Sequence, residues 1–162
     1  MYCRTAAAGL AMVGMAGCAS PVPASQALPA LILAMQGDPA AVLARLSPEF
    51  ELVEHFDRHD ATPVSRTLTC DLATVAAAGW HVVPDAQVLS ETGTQYAPPQ
   101  RRPDGSWSVA LATGSGEEMA RYGFVAGSRG WQLARIDVFS VLETGDPVPP
   151  SPCPRSGSRE PG

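Results

Sequence analysis

The chain has 162 residues, 45% of them hydrophobic, and a formal net charge of −5, which fits one domain with short appendages better than two. All eleven cations are Arg and no basic run is longer than Arg101-Arg102, so no nucleic-acid partner is expected. A nucleophile elbow, P-loop, dinucleotide fingerprint, metalloprotease helix or zinc-type Cys/His spacing is also missing, so no cofactor, metal or catalytic residue is assigned.

Residues 1–17 read as a signal peptide. Met1 to Thr5 carries one positive charge, Arg4, and Ala6 to Ala16 is an uncharged run of small and apolar residues. Its length suits the roughly 7–15 residues of a signal-peptide core and falls short of the roughly 20 needed to span a bilayer. The run ends in Met15-Ala16-Gly17-Cys18, followed by Ala19-Ser20-Pro21-Val22-Pro23, a stretch that suits neither helix nor strand. The first four of these residues resemble the bacterial lipobox, in which small residues precede a Cys that receives diacylglycerol before cleavage. Met15 departs from the commoner Leu, and an ordinary signal peptide is the alternative.

The lipobox resemblance implies lipidation at Cys18, with a thioether-linked diacylglyceryl group and an acylated amine. More than one chain, at about 0.8 kcal/mol per buried CH₂, makes a stable membrane anchor. Ala19, where Asp would signal inner-membrane retention, implies an outer-membrane lipoprotein facing the periplasm in a Gram-negative host. Residues 18–25 then serve as a tether. Cys3 leaves with the signal peptide and Cys18 is lipidated, so Cys70 and Cys153 remain in an oxidising space, where they pair or stay as small thiols.

The globular part is expected over residues 26–144, with a disordered Pro-rich tail over 145–162. Leu28, Leu31, Ile32 and Met35 follow the period of an amphipathic helix ended by Gly37. Asp38-Pro39 supplies an N-cap and N1 proline for a second helix carrying Val42, Leu43 and Leu46, stopped at Ser47-Pro48. Phe50 to Phe56 alternates weakly, Val64 to Thr69 suits a strand, and Asp71 can cap a third helix through Leu72, Val75 and Ala76 that closes at Gly79. Trp80 to Leu89 reads as a strand interrupted at Pro84. A polar connection through Pro98-Pro99 and Pro103-Asp104-Gly105 leads to a strand with Trp107, Val109 and Leu111 on one face. Gly114-Ser115-Gly116 turns the chain into Met119–Ala126, and Gly127 to Gly130 turns it again into Trp131–Phe139. The expected class is α+β, with N-terminal helices packed on a curved antiparallel sheet.

Within that sheet, Tyr122-Gly123-Phe124-Val125, a Gly-rich turn and Gly130-Trp131-Gln132-Leu133-Ala134-Arg135-Ile136-Asp137 are similar to the closing hairpin of the NTF2-like, or SnoaL-like, superfamily. A cystatin-like module gives much the same element order. The superfamily resemblance implies a cone with a pocket on its concave sheet face, used by some members for isomerase or dehydratase chemistry and by others for binding. A four-residue turn at Gly127–Gly130 pairs Phe124 with Leu133 and Tyr122 with Arg135, placing Tyr122, Phe124, Arg135 and Asp137 on one face as candidate ligand-binding residues. The small Ser108, Ala110 and Ala112 beside them leave a hollow, while Trp107, Val109, Leu111, Met119, Ile136 and Val138 form the core face. Arg135 and Asp137, two apart on a strand, can instead simply pair with each other.

A second polar cluster is His55-Phe56-Asp57-Arg58-His59-Asp60. As a strand it puts His55, Asp57 and His59 on one side, a set suited to a metal or to acid/base work; as a turn it is a solvated charge-rich loop. Two functions follow. One is an envelope module that binds a small apolar ligand or an envelope protein; the other is a SnoaL-like pocket enzyme with Asp137, Tyr122 or the His55 cluster as acid or base.

Overall fold

The computed structural model describes residues 22–58, 62–77 and 82–153. Cys18 and the rest of the lipobox-like sequence, His59, Gly79, Trp80 and residues 154–162 lie outside the described residues. Helix α1 (Ala24–Met35) forms on the apolar period and buries Leu28, Ile32 and Met35. Each of these side chains contributes about 1.5–3 kcal/mol by leaving water. Asp38 caps α2 (Pro39–Leu43), its Oδ1 accepting from the amides of Ala40 at 2.9 Å and Ala41 at 3.1 Å.

The second helix stops before Leu46, which instead opens β1 (Leu46–Arg58). A register irregularity between Leu46 and Glu51 accommodates Ser47-Pro48, the kind of place a strand tolerates proline. β1 pairs antiparallel with β2 (Val64–Leu68). Asp71 then caps α3 (Leu72–Ala77), accepting from the Thr74 amide at 2.8 Å.

The segment read as a strand over Trp80–Leu89 contains a helix instead, α4 (Ala86–Thr92). Asp85 caps it through the Val88 amide at 3.0 Å, and Gly93 ends it in the left-handed conformation at φ 64°. Paired caps outweigh the β-branched Val82, Val83 and Val88 that suggested a strand. The polar connection that follows holds two short strands, β3 (Thr94–Tyr96) and β4 (Gln100–Arg101), both paired with β5 (Trp107–Thr113). β6 (Glu118–Gly127) and β7 (Gly130–Leu142) complete the sheet.

The fold is therefore α+β, with seven strands in an open, curved sheet ordered β2-β1-β7-β6-β5-β3 and β4 against β5. It is mixed rather than antiparallel, because β1 runs parallel to β7. A parallel pair needs a long crossover, and here everything from β2 to β6 lies between the two strands. One face buries Leu52, Val109, Leu111, Tyr122, Phe124, Leu133 and Ile136 together with α1, Val42, Leu72 and Val75. At the far edge, a Cys70–Cys153 disulfide with Cα atoms 5.3 Å apart ties down the segment after β7. Arg66 reinforces this tie through its Nη1, which donates to the Pro149 carbonyl at 2.7 Å. Residues 143–153 thus carry no helix or strand but are fixed to the domain at Cys153.

Candidate functional site

The site is shaped by one extra residue in β7. Next to the hairpin turn the pairing is as expected, with Ala126 opposite Trp131 and Phe124 opposite Leu133, but the register then shifts so that Gly123 faces Arg135 and Tyr122 faces Ile136. Ala134 is the additional residue of this β-bulge, which turns every later side chain of β7 to the opposite face. A Cβ on Gly123 would lie 3.4 Å from the Arg135 Cβ, so the glycine leaves room for that close approach.

The bulge separates the four candidate binding residues. Tyr122 is 1% exposed and Phe124 is fully buried among the helix-side core, not beside Arg135 and Asp137 on an open face. The Tyr122 hydroxyl donates to the Val82 carbonyl at 3.0 Å, and burial pushes its phenol pKa well above the ordinary value. It therefore stays a protonated donor rather than a base. Tyr122 also lines an apolar pocket of about 250 Å³ with Leu52, Val82, Leu111 and Ile136. Of the expected core set, Val109, Leu111 and Ile136 are buried, whereas Met119 is 37% exposed.

Arg135 and Asp137 do come together on the other face. Arg135 Nε lies 2.9 and 3.0 Å from the two Asp137 oxygens, and Nη2 lies 2.8 Å from Oδ1. Its remaining nitrogen, Nη1, reaches Glu51 at 2.7 Å. The parallel β1–β7 register brings in a residue that sequence reasoning kept in a separate cluster: His55 Nε2 lies 2.7 Å from Asp137 Oδ1, and its Nδ1 lies 2.9 Å from the Ser65 hydroxyl. The ring stacks on Phe139 with centroids 4.9 Å apart. Glu51, Ser65, His55, Arg135 and Asp137 thus form one hydrogen-bonded chain across three strands.

Burial of Asp137 opposes its ionisation, but hydrogen bonds from Arg135 and His55, with their charges, outweigh it and hold the carboxyl below its ordinary 3.8. An ionised carboxylate only accepts, which assigns a proton to His55 Nε2 in the contact with Asp137. A hydroxyl, an imidazole and a carboxylate in sequence can polarise the hydroxyl for nucleophilic or acid/base work. Here, however, Arg135 already shares the carboxylate's charge. Among the described residues no group of three His, Cys, Asp or Glu is placed to hold a metal, and no helix is long and apolar enough to cross a membrane.

The hollow expected over the small residues of β5 is present, with different walls. A concavity of about 350 Å³ lies over Ser108 and Ala110 and is bounded by Gln100, Arg101, Arg102, Glu118 and Arg121. Arg121 is held by Glu118 through contacts of 2.7 and 2.5 Å, and its guanidinium lies 5.6 Å from the Phe139 centroid. The hidden signal was Gly123: a lone glycine within a strand pattern marks a bulge. No family model, curated protein or solved structure matches the chain.

Proposed function

We propose that the chain is a lipoprotein of the cell envelope, anchored through Cys18, whose NTF2-like domain binds a small apolar ligand or an envelope protein. In a Gram-negative host its destination is the outer membrane, with the domain facing the periplasm. The Cys70–Cys153 disulfide carries this reading, because such bonds persist in oxidising compartments and are rare in the cytosol. It accords with the short apolar run that ends at Cys18. Helices leading into a curved sheet and the aromatic β6–β7 hairpin support the cone-like fold. Binding is preferred to catalysis because Asp137, the candidate base, is already bidentately held by Arg135.

Lipid labelling in a Gram-negative host tests the anchor. The wild-type chain should incorporate labelled fatty acid and sediment with membranes, and Cys18→Ser should do neither. An intact Met1 on membrane-bound wild-type protein would overturn the proposal. One observation favours the second reading, a SnoaL-like pocket enzyme: the 2.7 Å contact between His55 and Asp137 unites two of its acid/base candidates. Under that reading, His55→Gln would abolish turnover of a substrate found by screening while leaving its binding intact.

A further inference from the structure

We infer that the concavity over Ser108 and Ala110 is a binding site for a small organic oxyanion, a carboxylate or phosphate joined to an apolar group. This site lies on the sheet face opposite the Tyr122 pocket and goes beyond the apolar-ligand reading. Three arginines, Arg101, Arg102 and Arg121, line the concavity with a single acid, Glu118, in a chain whose formal net charge is −5. Glu118 is already committed to Arg121. Among the described residues, Arg101 and Arg102 have no carboxylate within ion-pair distance. The nearest acid to Arg102 in sequence, Asp104, accepts from the hydroxyl and amide of its own turn residue Ser106 and also feels the charge of Arg102, without an ion-pair contact between them.

The planar forks of guanidinium groups match the two oxygens of a carboxylate or the three of a phosphate. The register explains how the cluster forms. Gln100 pairs with Ser108 and Ala110 with Arg121, while Arg101 pairs with Trp107 and so alternates toward the other face; the short β4 thus leaves Arg102 and Arg121 as the cations beside the small residues of β5. Ala97, Pro98 and Ala110 supply an apolar floor, and Gln100 and Ser108 add polar groups at the wall. That composition suits a ligand with a charged head and an apolar body.

Phenyl phosphate is the probe, titrated into the full chain in detergent and followed by amide resonances. Saturable shifts should centre on Ser108, Ala110 and Arg121, with a Kd of about 1 mM or tighter, while phenol at the same concentrations should produce none. Arg102→Gln should weaken binding about tenfold or more and steepen no other property of the spectrum. Arg129→Gln, on the exposed β6–β7 turn outside the concavity, should leave it unchanged. Arg121→Gln should also weaken binding; because it removes the partner of Glu118, Arg102→Gln decides the matter if that variant is misfolded. Competition by phosphatidylglycerol vesicles would identify the oxyanion as lipid-borne, and its absence as that of a free molecule; both support the shared chemistry. Linear, unsaturable shifts, or equal weakening by Arg129→Gln and Arg102→Gln, would overturn the site without bearing on the Cys18 anchor.

Discussion

Asp137 holds the open-face chain together, since its two oxygens serve both Arg135 and His55. Because its folded-state pKa lies below the ordinary 3.8, its contribution to stability is fully present above the unfolded value of about 3.9 and is lost as pH falls through the lower folded value. Asp71 and Asp104 are lowered as well, first by hydrogen bonds from Thr74 and Ser106 respectively, so acid destabilisation is shared among the three. Asp137→Asn should flatten the acid limb of the stability profile without removing it. At pH 7 it should cost about 1–3 kcal/mol, toward the lower end because Arg135 is 40% exposed and partly screened. Urea unfolding at pH 7 and near pH 3 measures both effects, and an unchanged acid limb in the variant would refute the role given to Asp137.

At the scale of elements, the bulge at Ala134 decides which side chains meet. Deleting Ala134 would leave Leu133 opposite Phe124, Arg135 opposite Gly123 and Ile136 opposite Tyr122 in one-for-one pairing, so every side chain would keep its face. The expected cost is about 1 kcal/mol, whereas Leu133→Arg, which puts an unpaired charge at a fully buried position, should cost about 3–5 kcal/mol. Chemical denaturation compares the two, and similar midpoints would show that Leu133 and Arg135 do not lie on opposite faces. Sequence reading located what local chemistry encodes: the α1 stripe, the Asp38 and Asp71 caps, and the turns at Gly114–Gly116 and Gly127–Gly130. It missed α4, whose caps at Asp85 and Gly93 were masked by Pro84 and the valines around it. It also missed β3 and β4, too short to carry a period. The parallel β1–β7 register joins residues such as His55 and Asp137 that lie 82 positions apart, and nothing local in either segment encodes that contact. Of the candidate site, the Arg135–Asp137 pair and the hollow over the small residues were legible, but Tyr122 and Phe124 were put on the wrong face because Gly123 was not read as a bulge.

For the whole molecule, the disulfide spans 83 residues and closes the domain from the α3 entrance to the segment after β7. A loop of that size should contribute about 2–4 kcal/mol, chiefly by restricting the unfolded chain. Cys153→Ser and reduction of the wild type should therefore lower the denaturation midpoint by the same amount, and no shift on reduction would mean that the bridge is not formed in solution. Arg66 would still hold the Pro149 and Pro150 carbonyls, with its Nε on the buried Glu54 carboxylate, so the segment should loosen rather than detach. The proposed anchor at Cys18 and the bridge at Cys70 point to the same side of a membrane. One measurement tests both: non-reducing mass mapping of the full-length protein extracted from the membranes of a Gram-negative host. The account predicts a chain beginning at a lipid-modified Cys18, with the Cys70 and Cys153 peptides joined. A membrane-bound chain that still begins at Met1, with both of those cysteines recovered as free thiols, would contradict it.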